Sequence, residues 1–133
     1  MDWMRGMRKL AVVGCATALT VAGFAQPSSA SDNVGWLYTI NGGGAIFFDA
    51  DLNGYPYVEK ITVCDNKSDG RGVTGEVVSF DGSFTLSLSD PSNDGHCEAT
   101  SGDFFTEEEP VSVKVYEYAG SWTSTVVAAW GVA

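Results

Sequence analysis

Short apolar runs with a repeat of two fill the chain after residue 30. Val111, Val113 and Val115 alternate with Ser112, Lys114 and Tyr116, and Phe84, Leu86 and Leu88 alternate with Thr85, Ser87 and Ser89. This period sends one set of side chains into a core and the other into water, as a half-buried strand requires. Further candidate strands cover residues 35–39, 45–48, 57–64, 73–80 and 121–130, about seven in all. Between them lie Asn41-Gly42-Gly43-Gly44, Asn53-Gly54, Asp69-Gly70, Asp81-Gly82 and Asp94-Gly95. Glycine tolerates positive φ there and Asx side chains close the bend. Residues 31–133 show no capped apolar stripe with helical spacing. The pattern therefore predicts one all-β domain, a small antiparallel β-sandwich of immunoglobulin-like or Greek-key type, with a small closed barrel as the competing form.

The first thirty residues follow a different logic. Arg5, Arg8 and Lys9 precede an apolar stretch from Leu10 to Ala25, and Ser28-Ser29-Ala30 supplies the small residues of a cleavage site. This reads as a signal peptide, residues 1–30, with an apolar helix and a cut after Ala30. The apolar stretch is shorter than the roughly 20 residues a membrane span needs, so no stable membrane anchor is expected after processing. Val12-Val13-Gly14-Cys15 resembles a lipobox, an alternative processing site with little apolar core before it.

Charge sharpens the picture. The full chain has a net charge of -10, and residues 31–133 carry four basic against sixteen acidic side chains, a net -12. Nucleic-acid binding, which needs clustered Lys and Arg, is excluded on sign. The 44% hydrophobic content is too high for a disordered chain. Cys64 and Cys97 are the cysteines left after Ala30, an even pair in an exported chain and hence an expected disulfide.

Three turns fit D-x-x-x-[DN]-G: residues 49–54, 65–70 and 90–95. Turn chemistry accounts for each, with the first Asp accepting backbone N–H groups. Calcium is the second reading, because a hard cation takes six to eight oxygens. Asp49, Asp51 and Asn53 match the first half of an EF-hand-type loop, and Glu59 stands one residue before the twelfth position, which is Lys60. Glu107-Glu108-Glu109-Pro110 reads as a solvated acidic turn.

Catalytic signatures are sparse. His96 with two oxidised cysteines is too small a set for zinc, and no nucleophile elbow or phosphate-cradling glycine pattern occurs. Exposed aromatics offer a binding surface: Tyr55 and Tyr57 flank Pro56 in a loop, and Tyr116 and Tyr118 fall on the polar face of the Val111 strand. Trp36, Trp122 and Trp130 are expected mostly to fill the core.

The stretch Cys64-Asp65-Asn66-Lys67-Ser68-Asp69-Gly70-Arg71-Gly72-Val73 resembles small secreted actinobacterial proteins of Streptomyces type, which share a C-D-x-x-x-D-G-x-G-V motif. Their alanine-rich leader, later cysteine and Trp-bearing C-terminal strand also match. The second cysteine pair many of them carry is absent here. The resemblance implies a small β-sandwich and supplies no activity. The expectation is thus a secreted, monomeric, non-catalytic β-sandwich that binds or adheres to a polysaccharide or an extracellular protein. Two alternatives stand beside it: a calcium-dependent carbohydrate-binding domain and a small extracellular hydrolase inhibitor.

Overall fold

The computed structural model of the protein describes residues 31–92 and 96–133. The expected leader and turn residues Asn93, Asp94 and Gly95 lie outside the described residues.

The strands are β1 (Val34–Tyr38), β2 (Gly44–Asp49), β3 (Glu59–Asp65), β4 (Gly72–Ser79), β5 (Thr85–Asp90), β6 (Glu98–Gly102), β7 (Pro110–Ala119), β8 (Trp122–Thr123) and β9 (Val127–Val132). They form two antiparallel sheets. One has the order β1-β2-β3-β6; in the other, β5-β4-β7-β8, strand β9 also pairs with β7. The chain passes between sheets at β3–β4, β5–β6 and β6–β7, and β6 then returns beside β3 while β7 returns beside β4. An Asp32–Val132 bridge joins the edges of the two sheets.

The expected sandwich is therefore present, with two more strands than the alternation revealed. Strand β6 reads Glu-Ala-Thr-Ser-Gly, an edge strand with no apolar face to show a period. The single strand expected over 121–130 is divided because Ser124 turns to β7: its Oγ accepts the Glu117 N–H at 2.9 Å and its own N–H donates to the Glu117 carbonyl.

Inward-facing residues of both sheets make the core: Ile46, Phe48, Ile61 and Val63 from the first, Val73, Val77, Val111, Val113 and Val115 from the second. Each is at most 1% exposed, and burying a side chain of this kind stabilises by about 1.5–3 kcal/mol. The sheets approach closely at Gly75. A methyl group there would sit 2.6 Å from Ile46 Cδ1 and 2.7 Å from Val63 Cγ2.

The bends follow Asx chemistry. Asp81 Oδ1 accepts the Ser79 hydroxyl, the Ser83 hydroxyl and the Ser83 N–H, and Gly82 takes φ 78°. In the turns beginning at Asp49 and Asp65, the first Asp accepts the amide two residues on, each at 3.2 Å. Cys64 and Cys97 are bonded, with 4.4 Å between Cα atoms. The bond sits at one end of the β3–β6 pair and closes a loop containing the β4–β5 hairpin. Such a bond indicates an oxidising setting. Among the described residues, no helix is long and apolar enough to cross a membrane.

The sandwich has two ends. The top carries residues 39–43, 65–71, 90–92, 96–97 and 119–126; the base carries 50–58, 80–84 and 103–109.

Candidate functional site

The outer face of the first sheet holds a cleft of about 260 Å³ lined by Trp36, Phe47, Asp49, Leu52, Lys60 and Thr62. Its geometry comes from register. Val34 pairs with Phe48 and Leu37 with Ile46, so between these pairs β1 advances three residues while β2 advances two. This bulge keeps Val34 and Leu37 inward and turns Trp36 to solvent, where it is 47% exposed. Its ring meets Phe47 edge-on at 5.3 Å. Asp49 lies directly opposite Lys60, and Phe47 opposite Thr62. One wall is thus aromatic, and a carboxylate, an ammonium and a hydroxyl line the remainder.

At the top, Glu117 organises a second region. It is 1% exposed and accepts the Thr39 hydroxyl at 2.5 Å, the Gly43 amide at 3.2 Å and Arg71 Nη1 at 3.2 Å. Burial pushes its carboxyl up, but these hydrogen bonds and the charge of Arg71 together outweigh burial and hold it below the ordinary value. Arg71 also lies over the Trp122 ring, 4.5 Å from its centroid. Beside it opens a cavity of about 280 Å³ lined by Asp65, Lys67, Ser68, Asp69, Gly70, Arg71, Pro91 and Ser92. The Asp65 N–H donates to Asp90 Oδ2 at 2.8 Å, tying the two loops that wall the cavity. Asp65 Oδ2 is buried and unpartnered. Burial first, then the charges of Asp69, Asp90 and Glu117, raise its carboxyl above the ordinary value, against the Lys67 amide.

At the base, Glu59 begins β3 on its core-facing side and is 0% exposed. Its Oε1 accepts the amides of Phe104 at 2.7 Å and Phe105 at 3.2 Å. Its Oε2 has no partner, and neither has the buried Oε2 of Glu107. Burial raises the Glu59 carboxyl against those two amides, and the charges of Asp103 and Glu107 push the same way.

These positions revise several sequence expectations. Asp49, Asp51, Asn53 and Glu59 do not form one ligand set, because strand alternation puts Asp49 on the outer face and Glu59 in the core. Among the described residues, no group of three or more His, Cys, Asp or Glu gathers to hold a metal. The four tyrosines do not make one patch. Tyr55 and Tyr57, 65% and 62% exposed, stand in the β2–β3 loop at the base, whereas Tyr116 and Tyr118 are half-buried on the second sheet near the top. Tyr118 packs over Gly72, where a Cβ would come within 2.4 Å of its ring. The Tyr116 hydroxyl lies 3.5 Å from Glu76. The acidic run 107–109 is not simply solvated: Glu109 accepts the amides of Phe80 and Thr106, and Glu108, at φ 66°, donates its N–H to the Ala133 carbonyl.

None of Trp36, Trp122 and Trp130 fills the core; all three are exposed. Trp36 leaves the core because the bulge displaces it by one position. The signal available was its place in an aromatic alternation with Tyr38, which is also exposed. Comparisons with protein-family models, curated proteins and solved structures give no match.

Proposed function

We propose that this chain is a secreted, non-catalytic binding module that holds a polysaccharide on the outer face of β1-β2-β3. The observation that carries this reading is the Trp36–Phe47 cleft. An exposed indole offers an apolar platform for the axial C–H face of a sugar ring. Asp49, Lys60 and Thr62, on the neighbouring strands, supply an acceptor, a donor and a group that does both for the equatorial hydroxyls. A mostly apolar cleft with a few converging polar groups is the usual form of a small-ligand site. The raised carboxyl of Glu59 is buried at the base and accepts two backbone amides away from the Trp36 cleft, and the raised carboxyl of Asp65 does not line that cleft either, which supports a binding role over an acid–base one. Secretion rests on the leader and accords with the disulfide.

Binding to insoluble cellulose, chitin, xylan and starch, together with tryptophan fluorescence on soluble oligosaccharides, tests the reading. Trp36→Ala should weaken binding by at least about 30-fold, as the loss of an aromatic anchor does. Trp130→Ala, on the other sheet, should leave it unchanged. No binding across the panel, or equal binding by Trp36→Ala, refutes it.

A second reading has one observation in its favour. The Tyr55-Pro56-Tyr57 loop projects from the base but is braced by Leu52 N–H to the Val58 carbonyl at 2.8 Å and Val58 N–H to the Tyr55 carbonyl at 3.2 Å. A braced, exposed loop suits inhibition of an extracellular hydrolase. Absence of inhibition across a protease and amylase panel removes it.

A further inference from the structure

We propose that the base of the sandwich, where the loop 103–109 crosses the start of β3, is a calcium site with Glu59 Oε2 and Glu107 Oε2 as its carboxylate ligands. It is separate from the Trp36 cleft and from the Asp49 turn. Two buried carboxylate oxygens lack partners there, and a buried, unpaired carboxylate is among the costliest groups a fold can hold. Glu59 is wholly buried, and the amides of Phe104 and Phe105 fix its Oε1. The loop that supplies those amides also carries Glu107 and Asp103. The second oxygen is therefore held in place with no protein donor to meet it.

Among the described residues, no Lys or Arg is placed to meet it. Arg71 is engaged with Glu117 and Trp122 at the top, and Lys67 lines the cavity beside it. Lys114 lies opposite Glu76 on the second sheet. Lys60, though next to Glu59 in sequence, points to the outer face opposite Asp49. Compensation must come from solution, and all the donors on offer are hard oxygens, which select calcium, magnesium or manganese over softer-metal sites. Because no third acid joins the pair among the described residues, the remainder of the shell would have to be backbone carbonyl and water. Such an irregular shell suits calcium, whose coordination is flexible, better than magnesium, which demands a near-ideal octahedron. With two carboxylates, affinity should fall in the range of extracellular modules, about 0.1–1 mM.

The test is thermal unfolding and isothermal titration of the full chain with calcium chloride, magnesium chloride or a chelator. Calcium at about ten times its dissociation constant should raise Tm by roughly 5 °C through mass action, with magnesium giving less. Glu107→Gln should remain folded and lose the rise, while Asp49→Asn should keep it. Glu59→Gln removes a buried group that also caps two amides, so Glu107→Gln is the decisive variant. No calcium-dependent heat or Tm shift at millimolar calcium overturns the proposal, as does an undiminished shift in Glu107→Gln. A chain insensitive to calcium but stabilised by mild acid overturns it too, in favour of a proton shared by Glu59 and Glu107.

Discussion

Replacing Glu117 by Gln tests whether one buried charge holds the top of the sandwich together. Three donors from separate segments converge on it: the Thr39 hydroxyl, the Gly43 amide and Arg71. A hydrogen bond to an ionised group contributes about 1.5–3 kcal/mol, so the short Thr39 bond falls in that range and the longer amide bond near its lower end. The Arg71 side chain is 39% exposed, and solvent screening reduces that pair to at most about 1 kcal/mol. Glutamine keeps one acceptor, removes the charge and turns an NH₂ toward a donor. Roughly half of the total is lost, about 2–3 kcal/mol, or about 10–20 °C in Tm for a domain this size.

The pH dependence follows from the depressed carboxyl of Glu117. A group depressed in the folded state contributes stability above its unfolded pKa, here near 4.5, and loses it as pH falls through the folded value. Urea unfolding of both proteins at pH 7 should therefore show the full difference. The difference should narrow as pH falls below about 4. Equal midpoints at pH 7, or a difference that widens in acid, would refute the central role of Glu117.

Asp65→Asn should behave in the opposite sense. The Asp65 carboxyl is raised above 3.8, so its favourable contribution is full below that value and is lost as pH rises through the folded one. The variant should gain stability at pH 7 and lose the gain near pH 4 in urea titrations. Cys64→Ala with Cys97→Ala opens a crosslink between residues 33 apart and should cost about 4 kcal/mol on the chain-entropy estimate, measured as a lowered denaturation midpoint. Gly75→Ala forces a methyl against Ile46 and Val63 and should cost about 1–3 kcal/mol by the same assay. Trp36→Ala should leave stability within about 0.5 kcal/mol of the parent while weakening polysaccharide retention by at least about 30-fold, because the ring faces solvent.

The sandwich was legible wherever a strand has one wet and one dry face. Val111, Val113 and Val115 are buried and Ser112, Lys114 and Tyr116 are not, as the alternation requires. Legibility failed where tertiary contacts rather than period decide orientation. Glu98–Gly102 has no dry side chains to mark it and becomes a strand because β3 offers an edge. Trp36 faces outward because a bulge shifts the phase, and a bulge leaves no trace in an apolar count. Glu59 was readable as a ligand candidate, but not as a core residue. Its burial depends on amides from residues 104 and 105, about half the domain away along the chain. The acidic turns at Asp49 and Asp65 are Asx bends, as their Asp and Gly spacing implies. Convergence of the 65–71 and 90–92 turns depends on the register that sets Val73 opposite Asp90 and on the Asp65 N–H to Asp90 bond between strands of different sheets, and the second of these leaves no mark in sequence spacing.

The disulfide has a consequence for the upper cavity. Cys64 immediately precedes one wall, residues 65–71, and Cys97 follows the segment that includes the other, Pro91 and Ser92. The S–S bond therefore crosslinks the chain close in sequence to both walls of the cavity. Coupling between two sites is reciprocal, so any molecule lodged between the Asp65 and Ser92 walls would make the bond harder to reduce. Reduction would, by the same factor, weaken that molecule's hold.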